Sequence, residues 1–276
     1  MPIRELNVAT WEQLEEELKS LRAPANREST DSLPLLFRGQ ENSDWPLYTT
    51  LDRSKQQGML FAEYFRRISK IRPEIESFTD RKWKLPEYPA VCRDAREYDS
   101  FSLELTSGRL PAYAYMAYLR HYGFPSPLLD WTRSSHIAAF FAFRKSFWGH
   151  GQQDRKASIF VLSGERFTVR GSDMASIFRM GPYVRTHRRH FLQQSEYTVC
   201  LIFDSAWRFA QYDAVFDRPN QHQGVFLKFN IPLSEGPKVL RLLDEYNLNT
   251  SSLFSTEEGL METLAMREFD FGRETP

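Results

Sequence analysis

The 276-residue chain has only two cysteines, Cys92 and Cys200, far apart and without neighbours at metal-ligand spacing. A disulfide scaffold and a zinc site are therefore not expected, no metal is assigned, and a reducing, cytoplasmic setting fits. Long apolar runs are missing too: nothing approaches the roughly 18–20 uninterrupted apolar residues of a membrane span. Met1-Pro2-Ile3-Arg4-Glu5-Leu6 lacks the basic-then-apolar pattern of a secretory leader, so no membrane partner is expected. Net charge is absent as well, with Lys+Arg and Asp+Glu at 36 each. A chain that coats nucleic acid non-specifically would be clearly basic, so any such contact must come from a local patch. What is plentiful is aromatic side chain, 22 Phe, 12 Tyr and 6 Trp, enough for one sizeable core.

Periodicity gives a mixed organisation. Thr10-Trp11-Glu12-Gln13 reads as a capping box opening a helix to about Leu21. Leu33 to Arg38, ended by Gly39, suits a buried strand, and Ser43-Asp44-Trp45-Pro46 a turn. Helical spacing runs from Leu60 to about Ile71, and again from Pro111, as a first helical position, to His121. Pro86 and Pro89 exclude one regular element over residues 82–90. Leu128-Leu129-Asp130-Trp131 is a short strand after the loop Gly123–Pro127. Ser134 and Ser135 are candidate caps for a helix through Phe147. Residues 158–162, 197–202 and 225–231 read as strands, and residues 237–246 and 257–266 as helices. The expectation is one α+β domain over residues 1–276, with helices mainly in the first half and strands in the second.

Four segments together carry a resemblance to the FRG-domain family. They are Leu36-Phe37-Arg38-Gly39-Gln40; His121 to Thr132 followed by Ala138-Ala139-Phe140-Phe141-Ala142; Gln193 to Val199; and Leu248-Asn249 with Leu253-Phe254. The resemblance spans about residues 33–265 and leaves residues 55–120 as a helical insertion. This chain has Ser126-Pro127 where the family usually shows Thr-Arg, and Arg120 where it shows Gln. The motif order resembles that of ADP-ribosyltransferases of the Arg–Ser–Glu type. It implies a split β-sheet core, NAD as co-substrate and no metal. By that resemblance Glu196, Arg38 and Gln194 are the catalytic candidates. Arg38, Gly39, Gln40, Thr132, Ser134, Phe140, Tyr197 and His121 are the cofactor-binding candidates, with Tyr48 as another candidate ring-stacker.

The chemistry fits these residue types. A guanidinium holds a pyrophosphate bidentately without titrating. Gly39 would let the backbone approach the ligand closely. A carboxylate such as Glu196 would stabilise positive charge developing on the ribose. Thr132 or Ser134 would orient it, and Gln194 the acceptor. Arg179, Arg185, His187, Arg188, Arg189 and His190 crowd before Gln194, which favours a phosphate-rich acceptor read by Arg185, Arg188 and Arg189. RNA is preferred, ahead of DNA and protein. The resemblance also implies a toxin of a bacterial toxin–antitoxin or phage-defence system, held by an inhibitory antitoxin protein.

Plainer roles stand beside each of these. Arg38 suits a structural ion pair, Thr132 and Ser134 a helix cap, Phe140 and Phe141 the core, His121 a structural donor, and Glu196 a solvent-facing strand position. The competing functional reading is a non-catalytic module that binds nucleotide or nucleic acid. The two differ in geometry: the transferase needs Arg38, Thr132 or Ser134, and Glu196 to converge on one cleft. A metal-dependent nuclease is disfavoured, because no His/Asp/Glu cluster occurs at ligand spacing.

Overall fold

The computed structural model describes residues 3–22, 34–146, 155–163, 173–216 and 225–271. Among these, one eight-stranded sheet is assembled from β1 (Arg4–Asn7), β2 (Leu36–Gln40), β3 (Leu128–Thr132), β4 (Lys156–Ser163), β5 (Ser176–Arg179), β6 (Ser195–Phe203), β7 (Trp207–Phe209) and β8 (Val225–Pro232). Their order is β1-β8-β4-β2-β3-β6-β5, with β7 added on β6. The β1–β8 pair is parallel and the others antiparallel. The architecture is mixed α/β. Helices and strands are interleaved along the chain rather than split between its halves, because β1, β2 and β3 all precede residue 133.

Both faces of the central strands are covered. On one face the sheet divides between two helical layers. The half around β3, β5 and β6 packs under α3 (Phe61–Thr79), α4 (Tyr88–Asp94), α5 (Tyr98–Thr106) and α6 (Tyr113–His121), through Phe65, Phe101, Met116, Tyr197 and Trp207. The half around β2, β4 and β8 packs under α1 (Trp11–Arg22), α7 (Ser135–Phe143) and α10 (Gly236–Glu245), through Trp11, Phe37, Phe140, Val161 and Leu240. The other face carries Leu36, Trp131, Phe160, Cys200 and Tyr212. Strands covered on both sides have little alternation to show, and the first seven residues of β6 are all buried.

Several expectations are shifted. The Gln13 amide donates to Thr10 Oγ1 at 3.3 Å, as a capping box requires, but the Gln13 side chain accepts from the amide of Ala9, at 2.8 Å. α3 continues through Pro73 to Thr79, past the expected end at Ile71. α4, α5, β1, β5, β7 and the short helices α2 (Thr50–Arg53), α8 (Arg189–Leu192), α9 (Asp213–Phe216) and α11 (Thr250–Phe254) have no strong periodic signal. α12 (Glu257–Ala265) closes the regular elements apart from a last π-turn. Leu33 and Phe147, at the expected ends of a strand and a helix, lie outside the described residues. No helix among the described residues is long and apolar enough to cross a membrane.

Candidate functional site

Between the two helical layers, β2 and β3 are joined by a single residue pair, Phe37 with Thr132, whereas β2–β4 and β3–β6 each run for five. Beyond that pair the strands part. Arg38 fills the gap: its Nη1 donates to the Asp130 backbone carbonyl at 2.8 Å and also to the Asp130 carboxylate. A side chain thus satisfies a strand carbonyl that the missing ladder would otherwise have served. Arg120, at the end of α6, donates to the same carboxylate.

The parted strands open a cleft of about 300 Å³. Arg38, Gly39 and Gln40 form one wall, and Asp130, Trp131 and Thr132 the other. Arg53 comes from α2, which is held by a reciprocal cap between Thr49 and Asp52. Phe37 from β2, Glu41 and Trp45 from the turn after it, Phe141 and Lys145 from α7 and its end, and Gln193 and Ser195 ahead of and within β6 complete it. Lys145 is tied across the mouth to Glu41 at 3.3 Å.

The electrostatics are unbalanced. One carboxylate, Asp130, faces two guanidiniums that are only 12% and 13% exposed. Burial by itself would raise the Asp130 pKa, but the charges of Arg120 and then Arg38 outweigh it and hold the carboxyl well below the usual range. Burial lowers the pKa of Arg38; Asp130 opposes this, and Arg120 and Arg53 reinforce it. With 47% of its side chain exposed, Asp130 is partly screened, so the cleft keeps an excess of positive charge. Two polar atoms on its wall, Nε of Arg38 and Oε1 of the buried Gln40, are buried without a hydrogen-bond partner. Such groups are costly unless something pairs with them.

Of the residues expected to bind cofactor, Arg38, Gly39, Gln40 and Thr132 line this cleft. The others do not. Ser134 caps α7, accepting from the Ile137 amide at 3.3 Å. Thr132 accepts from the Ser134 amide, so neither hydroxyl orients Glu196. Phe140 is core; its neighbour Phe141 is the ring at the cleft, because a helix turns 100° per residue. Tyr197 is buried under α6, sharing a 2.8 Å hydrogen bond with Nε2 of His121, and Tyr48 is not on the wall. Gln194 turns outward with φ of 47°, leaving Gln193 at the cleft.

Glu196 stands apart from the cleft wall. Register pairing sets Glu196 opposite Trp131, on the face of the sheet that Arg38 shares, yet Glu196 is not among the residues lining the cleft. Glu196 is not solvent-facing either: it is 2% exposed. Its Oε1 accepts from Nε and Nη2 of Arg179 at 2.9 and 2.7 Å, and its Oε2 from Arg133 at 3.3 Å. Arg179 also donates to the Pro34 carbonyl. The carboxylate is therefore fully engaged and off the cleft wall. In the basic segment, Arg185 and Arg188 are exposed, while Arg189 lies over the Phe254 ring at 5.1 Å.

Local sequence pattern assigns no role to Asp130, Arg120, Arg53, Trp45, Lys145 or the Arg179–Glu196 pair. Asp130 carries a signal, as the one acid inside an otherwise apolar strand; Arg120 carries one as a departure from the family pattern. Arg53 and Lys145 carry none, since their place depends on tertiary packing.

His121 gives a pH prediction. Burial pushes its pKa down to about 4, with Asp130 opposing and His187, Arg120 and His190 reinforcing. A histidine held neutral in the fold takes up protons more readily when unfolded. Stability is therefore expected to fall as pH drops from about 6.5 toward 4. The loss should be on the order of 3 kcal/mol. Thermal melting across that window checks this, and His121→Gln should flatten much of the slope.

Residues 34–148 match the family model described as FRG domain. No curated protein and no solved structure matches the chain. The matched span contains β2, the α3–α6 layer, β3 and α7, and so most of the cleft wall. Over this stretch the chain is similar to the FRG domain.

Proposed function

We propose that the cleft between β2 and β3 binds NAD and that the chain is an NAD-dependent ADP-ribosyltransferase acting on nucleic acid, RNA first. The observation that carries the binding half is the cation excess of the cleft: Arg38, Arg53 and Lys145 line it against Asp130 and Glu41, and Arg120 shares the Asp130 carboxylate. A pyrophosphate is doubly anionic and accepts from planar guanidinium donors, which is what this wall offers. At about 300 Å³ the cleft suits one half of a dinucleotide, the low end of small-molecule sites. Trp45 and Phe141 offer rings to a base, and the free Oε1 of Gln40 an acceptor to a ribose hydroxyl or amide.

The motif order supports the transfer half. NAD supplies ADP-ribose: the nicotinamide–ribose bond breaks, the acceptor bonds to the ribose carbon, and the acceptor's proton leaves. The parted β2–β3 joint is compatible with the split sheet of such enzymes, and the setting proposed with it is a toxin restrained by an antitoxin protein. Transfer requires the Glu196 carboxylate to exchange Arg179 and Arg133 for substrate. Its engagement favours a second reading, a module that binds the nucleotide without turning it over.

Labelled NAD incubated separately with RNA, DNA and protein tests this. The first reading expects label in a nucleic-acid pool, abolished by Glu196→Gln in a variant shown by melting to be folded. NAD binding without label in any pool selects the second reading. Label in the protein pool alone overturns the nucleic-acid acceptor.

A further inference from the structure

A second concavity lies beside the α6 layer, about 380 Å³ in volume. It is built from four separate stretches: Trp83-Lys84-Leu85 before α4, Gly108-Arg109-Leu110 after α5, Ala112 to Tyr115 at the start of α6, and Tyr183-Val184-Arg185 before α8. Its floor is aromatic and its rim cationic. Trp83 packs on Tyr115 and Tyr118, with ring centroids 5.2 and 4.8 Å away. Tyr183 is 95% exposed, an apolar ring held in water with nothing covering it. Lys84, Arg109 and Arg185 are all exposed around it. Arg109 has a surface partner in Glu104 at 2.8 Å, a pair weak enough for a phosphate to displace.

Behind the groove, the hydroxyl of Tyr115 and Nε1 of Trp83 are buried without a hydrogen-bond partner. Rings for stacking and cations for a backbone are the parts of a single-strand site. A duplex would not fit, since its bases are already stacked and its edges paired.

The groove and the cleft are supplied by one stretch of chain. The segment that supplies Tyr183, Val184 and Arg185 to the groove continues through Arg188, Arg189 and α8 to Gln193 and Ser195 on the cleft wall. In a chain with no net charge, that concentration of cations is local and directional.

We infer that the groove between Trp83, Arg109, Tyr115 and Tyr183 binds single-stranded nucleic acid, stacking bases on Trp83 and Tyr183 and seating phosphates on Lys84, Arg109 and Arg185. It deepens the proposal that the acceptor is nucleic acid, but needs no NAD. The test is fluorescence anisotropy of labelled single-stranded RNA and DNA, about 12 nucleotides long to fill one site, and of duplex RNA, with the full chain and without NAD. Tyr183→Ala, at a fully exposed side chain, should weaken single-strand binding about tenfold or more. Lys84→Glu with Arg185→Glu should weaken it and reduce the slope of log affinity against log salt by about 0.7 for each phosphate no longer held. Binding of single-stranded RNA or DNA in preference to duplex, with both losses, supports the site. Absence of single-strand binding, equal binding of duplex, or unchanged affinity in both variants overturns it. Because these readings omit NAD, they can fail while the cleft still binds NAD, and the reverse.

Discussion

Replacing Arg179 with alanine is expected to cost the fold about 3–5 kcal/mol, read as a lowered denaturant midpoint at unchanged slope. Arg179 and Glu196 each keep only 3% of their side-chain surface in water, so the carboxylate has no solvent to fall back on. Arg133 remains at 3.3 Å, but it is 35% exposed and makes one hydrogen bond, where Arg179 makes two. The Pro34 carbonyl loses its donor as well. Replacing both partners with apolar side chains, Arg179→Met with Glu196→Leu, should recover much of the loss, because the penalty belongs to the unpaired charge and not to the absence of the pair. A cost under about 1 kcal/mol for Arg179→Ala would mean that Glu196 is not anchored there.

Gly39→Ala should be almost as damaging, at or above about 3 kcal/mol, the upper end for overpacking. A Cβ on Gly39 would overlap the carbonyl oxygen of Ala138 and come within 2.7 Å of the amide nitrogen of Ala142. Both are backbone atoms of α7, so no rotamer change relieves the clash. Either α7 lifts off β2 or β2 shifts, and each displaces Arg38 and the cleft wall. The sequence suggests that this glycine admits a ligand; its first duty is to admit a helix. Melting of Gly39→Ala against the wild type measures the loss.

The legible parts of the fold are those whose burial is one-sided or whose ends are chemically marked. α1, α6, α7 and α10 show their apolar stripes, caps or leading proline. β3 and β8 are short apolar runs between breakers. What is not legible follows from two-sided burial. In β6 the alternation expected of a half-exposed strand is absent, so Glu196 reads as an outward position when both faces are covered. Nor can local pattern show that β2 and β3 part after one pair, and that parting decides which residues share a cleft. Arg38, Gly39, Gln40 and Thr132 reach it because they belong to the two parting strands. Phe140 and Gln194 miss it by one residue each, with Phe141 and Gln193 in their places. Asp130 is visible in the sequence as part of a motif, yet only the approach of Arg38 and Arg120 gives it a role.

The central claim is that this parted joint is an NAD site, and calorimetric titration of NAD into the intact chain tests it most directly. Saturable one-site binding is predicted, weakened about tenfold or more by Arg38→Ala, the usual scale for a lost bond to a charged group. Arg53→Glu, at an exposed rim position on which no core packing depends, should weaken it too while leaving the melting temperature in place. Absence of NAD binding by the wild type, or equal affinity in both variants, would contradict that claim.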